Sequence, residues 1–233
     1  MTQGKILLVA KLKGGTGSTT TCRELAAAAV ADGRRVGLVD LDSQGSLARW
    51  WNRRTRGGPE GGAVNPDLLQ IPADQVPAAA AKLRSTYDLT IIDSPPSVHA
   101  TIRAVAAVAD LALIPARPTI DDLDATGPIV RLLHGTTDFA FVMTQVPGAR
   151  SRDGAEAFEL LASRAPVLGR TTFRLDYSRP PATGGTGFEA GGAARQEIAS
   201  LYARVVERMS LRDDPDALKP EDPGTLSPDP ATT

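Results

Sequence analysis

The chain has 233 residues, 42% hydrophobic and 23% charged, which suits one α/β domain with a sizeable core and is short for two. With 26 basic against 27 acidic residues, its net charge of −1 names no polyanionic partner, and no apolar run reaches the roughly 18 residues of a membrane span. Cys22 is the sole cysteine beside two histidines, which excludes an internal disulfide framework or a multi-cysteine cluster and argues against structural zinc.

Residues 1–5 lead directly into a strand rather than a signal peptide, so a cytoplasmic protein is expected. Residues 6–10 (ILLVA) read as a buried strand, followed by a glycine turn and an alanine-rich helix over 22–31. A second strand covers 36–40, a helix 45–56 and a glycine–proline loop 57–65. A short strand at 68–71, a helix over 74–85 and a strand at 89–93 follow, the last ending at Pro95-Pro96. Beyond a helix through Val108 come a strand at 111–115, a helix over 121–134, a strand at 139–144 and a helix near 153–164. The segment 180–192, with five glycines and two prolines, reads as a linker, and a last helix runs from about 190 to 209. Apolar strands alternating with helices predict an α/β domain: a mostly parallel twisted sheet with helices on both faces. Residues 210–233 hold five prolines and six acidic residues against two basic ones, so a disordered acidic tail is expected after a domain spanning 1–209.

The most informative segment is Lys13-Gly14-Gly15-Thr16-Gly17-Ser18-Thr19-Thr20, between the first strand and its helix. Glycines there let backbone amides converge on an anion at a helix N-terminus, and Thr19 stands where a P-loop places its Mg²⁺-binding hydroxyl. Two departures from G-x-x-x-x-G-K-[ST] stand out. The first glycine position holds Leu12 and is followed by Lys13, and the lysine before the Thr pair is replaced by Ser18.

The lysine-first loop resembles that of the ParA/MinD family of dimerising ATPases, and the resemblance extends over about residues 4–209. Asp40-Leu41-Asp42-Ser43-Gln44-Gly45 resembles the family's D-x-D-P-Q-G segment, with Ser43 in place of proline. Residues 87–96 are similar to its Walker B strand, 109–115 to the strand after it, and 195–201 to its closing helix. The plasmid-partition branch is the most similar, given Ser46-Leu47-Ala48-Arg49-Trp50 after the carboxylates.

The resemblance implies a P-loop domain that binds ATP or ADP with Mg²⁺ and forms an ATP-sandwiched homodimer. It implies that Lys13 reaches across that dimer to the partner's phosphates, and that Asp42 positions the attacking water. Gly14, Gly15, Thr16, Gly17, Ser18, Thr19 and Thr20 would cradle the nucleotide; Thr19 would bind the metal directly, Asp93 through water, with Asp40 near its shell. Thr144 or Gln145 stands where family members recognise the base. Ser18 removes a cation worth on the order of 2–5 kcal/mol, so hydrolysis is expected to be weakened or lost. A charge from Lys13 of a partner would offset part of this, whereas Lys11, at a strand end, is not expected to help.

Partition-type members bind DNA non-specifically as ATP dimers, for which Arg170, Arg174, Arg195, Arg204 and Arg208 are the candidates here. Plasmid partition, DNA segregation or cargo positioning follows from the resemblance, with a ParB-like or cargo adaptor protein as partner and a nucleoid-associated location. The alternative is a non-hydrolysing or nucleotide-free DNA-binding regulator. An acidic tail disfavours membrane binding, since anionic lipid would repel it. Arg49, Arg53, Arg54 and Arg56 around Trp50-Trp51 are expected to face water while tryptophan covers the core.

Overall fold

A computed structural model of the chain describes residues 3–56, 65–96, 99–148 and 151–211. Most of the expected tail and of the 57–65 loop lies outside these residues. Among the described residues, seven strands form one parallel sheet: β1 (Lys5–Val9), β2 (Val36–Asp40), β3 (Asp67–Leu69), β4 (Leu89–Asp93), β5 (Leu111–Ala116), β6 (Phe139–Val146) and β7 (Val167–Thr172). Their order across the sheet is β3-β2-β4-β1-β5-β6-β7. The helices are α1 (Ser18–Ala31), α2 (Ser46–Thr55), α3 (Val76–Thr86), α4 (His99–Ala106), α5 (Ile120–Leu133), α6 (Arg152–Ala162), α7 (Gly187–Ala190) and α8 (Gly192–Ser210).

Alternation along β1 explains why both faces are covered. Leu7 and Val9 point into one core with α1, α2 and α8, while Ile6 and Leu8 point into the other with α3, α4, α5 and α6. All four side chains are fully buried, as a central strand of a parallel sheet requires. Cys22 lies in the first core and behaves as a small apolar residue. Among the described residues, no helix is long and apolar enough to cross a membrane.

Two expectations are corrected. Residues 167–172 form an additional edge strand beside β6. The stretch 180–192 is a built part of the domain: it holds a 3₁₀ turn at Pro180–Thr183 and the short helix α7. Gly184 at φ +85° brings its backbone so close to α2 that an added Cβ would lie 2.2 Å from Arg54 Cα. Arg53 Nε donates to Pro181 O at 2.8 Å, and Arg54 forks onto Glu189 at 2.6 and 2.9 Å. Trp50 is buried as expected, but Arg53 and Arg54 hold this segment rather than simply facing water.

Glu24 of α1 fixes the other side of the segment. Its fully buried carboxylate accepts the backbone N–H groups of Gly187 and Phe188 at 2.9 and 2.8 Å. Burial raises its pKa against the opposing pull of those two amides. Glu24→Ala strands both donors in the core and is expected to lower unfolding free energy by about 2–4 kcal/mol. Glu24→Gln, which keeps an acceptor, is expected to lose less; urea denaturation of the two variants checks the order.

Candidate functional site

The site forms at the carboxyl ends of the central strands. Register pairs Val9 of β1 with Asp93 of β4, and Asp40 of β2 with the same Asp93, so three strand ends share one rim. β1 lies between β4 and β5, where the connections diverge to the two halves of the sheet, and ligands of open α/β sheets bind at such a switch point.

The chain turns from this rim into α1 through the glycine loop. Gly14 and Gly15 lie exposed on its outer turn, and Gly17 caps α1 at φ +88°, a conformation that other residues adopt only with strain. Thr21 N–H, 2.8 Å from Gly17 O, makes the first helical bond. The amides of Ser18, Thr19 and Thr20 precede it at the positive end of the helix. Thr16 Oγ1 is buried without a hydrogen-bond partner. A concave backbone with a positive helix end and an orphaned buried hydroxyl suits an anion with several oxygens.

Asp93, fully buried, anchors the inner wall. Its Oδ2 accepts from Thr19 Oγ1 at 2.6 Å, and its Oδ1 accepts from Ser18 Oγ and, at 3.1 Å, from Lys11 Nζ. Thr19 and Asp93 thus bring a hydroxyl and a carboxylate together, oxygen groups of the kind a hard cation takes. Asp40 is more structural than the sequence implied: its two oxygens accept Asp42 N–H at 3.1 Å and Ala48 N–H at 2.9 Å, holding the turn into α2. Burial raises the Asp40 pKa, with Asp93 adding to the rise and the two amides opposing it.

Lys11, set aside in the sequence, is central. Its side chain is only 6% exposed, and its ammonium meets Asp42 Oδ2 at 2.9 Å, Asp93 Oδ1 at 3.1 Å and Ser18 Oγ at 3.1 Å. Burial pulls its pKa down, but Asp93 and Asp42 outweigh that and leave it above the ordinary lysine value. A strand end lies at the rim of a sheet, and the side chain turns inward there onto one buried and one partly buried carboxylate.

Lys13 instead bends outward onto α5, with Nζ 3.2 Å from Asp121 and 3.4 Å from Asp122, the latter also forked by Arg117 at 2.7 and 2.9 Å. Thr20 and Thr144 line a cavity of about 150 Å³ between the loop and β7. The Thr144 hydroxyl is engaged with Thr16 O at 2.6 Å, and Gln145, at φ +53°, donates to Gly15 O at 3.2 Å. The cavity also receives Phe173, 68% exposed, and Tyr177, which sequence reading missed because it overlooked β7. The β-branched and aromatic run Thr171-Thr172-Phe173 was the available signal.

The five arginines do not form one stripe. Arg174 bonds Glu197 at 2.8 Å, and Arg208 forks onto Asp138 at 2.7 and 2.8 Å. Arg195 stacks over Phe188, whereas exposed Arg170 and Arg204 line one groove between β7 and α8.

A lysine-first glycine loop, its threonine on a buried strand-end aspartate, and a parallel sheet switching direction at β1 define a nucleotide-binding architecture. The profile of the CobQ/CobB/MinD/ParA nucleotide binding domain matches residues 7–186. The chain belongs to this family. Over 212 residues it is 31% identical to the maintenance of carboxysome distribution protein A of Gloeobacter kilaueensis, covering 88% of this chain and 94% of that one. It is also 31% identical over 151 residues to the chromosome-partitioning ATPase Soj of Thermus thermophilus, covering 55% and 61% of the two chains. An ATP-bound McdA structure from Cyanothece shares the fold at TM-score 0.72 and 20% identity, covering 90% of this chain and 98% of that one.

In this ParA/MinD-type domain, Asp42 carries a pH signature. Its burial raises its pKa, but the Gln44 amide and the Lys11 ammonium outweigh that and hold it below the usual carboxylate value. A lowered native pKa stabilises the fold above about pH 4, and that contribution is lost as pH falls through the lowered value. Asp42→Asn is therefore expected to flatten the fall in stability between about pH 5 and 2, read by urea unfolding across that range.

Proposed function

We propose that the chain is a ParA-like, ATP-dependent dimerising switch that binds DNA non-specifically and positions a plasmid, chromosome or other cargo, with hydrolysis weakened through Ser18. The observation that carries this reading is the contact of Thr19 Oγ1 with Asp93 Oδ2 at the mouth of the glycine loop, in a chain of this family. The names of the relatives, one a carboxysome-distribution protein and one a chromosome-partitioning ATPase, support the positioning role.

Thr19 and Asp93 would hold Mg²⁺, with Asp40 ordering the loop beside them. Bound there, the ion would neutralise charge on the nucleotide phosphates. The loop backbone and the α1 N-terminus would bind the phosphates, and Thr144, through Thr16 O, would keep the loop closed against β6. The base would enter the cavity beside Phe173, whose exposed ring offers a stacking face. Asp42 would orient the attacking water once its carboxylate leaves Lys11. Lys13 would release Asp121 and Asp122 to reach the partner subunit; the Asp121 pair is largely exposed and worth little, and the buried Asp122 would keep its Arg117 fork.

A non-hydrolysing switch is the second reading, favoured by the salt bridge that ties Asp42 to Lys11. The two are separated by light scattering and phosphate release with Mg²⁺ and ATP. Dimerisation on ATP, abolished in Lys13→Ala, together with slow phosphate release lost in Asp42→Ala, is the expected result. Dimerisation without release gives the second reading, and no response to ATP in either assay refutes both.

For DNA, Arg170 and Arg204 have the best support, because they are exposed and converge on one groove. Arg170→Glu with Arg204→Glu is expected to weaken binding to unrelated DNA sequences about equally and to reduce the salt dependence of the affinity. Arg208→Glu should instead cost stability by opposing Asp138. Unchanged affinity and salt slope in the double variant would remove this assignment.

A further inference from the structure

We propose that Lys11 supplies the phosphate-binding charge that Ser18 lacks: the ammonium that meets a nucleotide's phosphates in this chain comes from the end of β1, not from the start of α1. This rests on the reading of the loop as a nucleotide site and names the residue that gives that site its cation.

The position of the charge is the first support. Lys11 Nζ lies 3.1 Å from Ser18 Oγ, within one hydrogen bond of the side chain whose lysine is missing. It approaches from the opposite side of the loop, seven residues earlier in the chain. Both residues are buried, so the ammonium lies in the shielded part of the loop beside the short Ser18 hydroxyl. A lysine at 18 would bring a second ammonium against the first, a like-charge contact in a shielded site. The two positions therefore form a matched pair, in which one carries the cation and the other the short hydroxyl that it meets.

The charge balance of the site is the second support. Asp40, Asp42 and Asp93 crowd the rim, and the outer cations are engaged elsewhere, Lys13 on Asp121, Arg117 on Asp122 and Arg49 on Gln44 O and Ser46 Oγ. Without Lys11, the inner wall of the loop would offer an entering phosphate chain carboxylates and backbone dipoles, with no side-chain cation of its own bonded there. An ammonium has three donors on a flexible four-carbon stem, and here all three meet oxygens: Ser18, Asp42 and Asp93. The same three donors can turn to phosphate oxygens, and that exchange frees the two carboxylates for their own tasks. A lysine whose role was merely to neutralise a buried aspartate needs no contact with residue 18.

The test is calorimetric titration of ATP, with Mg²⁺ and again with chelator, into the full chain and three variants: Lys11→Met, Ser18→Lys, and the exchange Lys11→Ser with Ser18→Lys. Lys11→Met is expected to bind about 10- to 150-fold more weakly in both conditions, the loss of one charged hydrogen-bond donor of about 1.5–3 kcal/mol. Ser18→Lys alone is expected to bind no more tightly than the unchanged chain, while the exchange variant restores its affinity. Binding by Lys11→Met within about threefold of the unchanged chain overturns the proposal while leaving the nucleotide reading intact. So does tighter binding by Ser18→Lys with Lys11 present, and this second arm decides the question if Lys11→Met does not fold. An unchanged chain that binds no ATP refutes the nucleotide reading and this proposal with it.

Discussion

A fully buried carboxylate at the end of β4 governs the construction of this protein's functional rim. Removing Asp93 from water is costly unless both oxygens are met by donors, preferably with a counter-charge among them. The chain meets that demand from two directions. Thr19 and Ser18 reach it from the start of α1, and Lys11 reaches it from the end of β1. Because all three lie within nine residues of one another, satisfying one carboxylate folds the whole glycine loop into a closed turn. Breaking any of these contacts would leave a buried carboxylate with too few partners, so the loop's shape depends on that one side chain.

The second constraint is how α1 is held against the rest of the domain. Its N-terminus faces the loop, while Glu24, in its second turn, binds the backbone of α7. Arg53 and Arg54 of α2 clasp the same segment from the other side. The residues between 175 and 190 are thereby locked between two helices and place Phe173 and Tyr177 beside the loop. A region with three glycines and two prolines is thus held in place, because several of its backbone groups are satisfied by charged side chains from elsewhere. This is how the closing part of the chain comes to line a cavity that opens beside Gly17 and Thr144.

Charge on the outside follows a different rule. Lys13, Arg174 and Arg208 are each paired with a carboxylate at or near the surface, where such pairs contribute little to stability and exchange partners readily, while Arg117 forks onto the buried Asp122. Lys11 is the contrast, a shielded cation bound to two acids. A surface pair suits a residue that must leave for another partner, and a buried one suits a charge whose place must be fixed before a ligand arrives.

The sequence by itself determined the strand–helix alternation, the apolar, buried character of β1, the glycine loop and its threonine, and the order of Asp40, Asp42 and Asp93 after it. These are local or periodic features: consecutive apolar residues, spacing within one turn, and carboxylates at strand ends. Only the tertiary structure decided which groups those residues meet. Nothing in the sequence around Lys11 distinguishes an inward from an outward side chain, since that depends on β4 bringing Asp93 beside it, 82 residues away. The edge strand β7 was obscure for a related reason: its alternation is weak, and it becomes a strand by pairing with β6. The dispersal of the arginines also came from folding, because charge counted along a helix takes no account of Glu197 and Asp138 waiting on neighbouring elements. Local patterns are written in neighbouring residues, whereas partners for buried charge are chosen by contacts between distant ones.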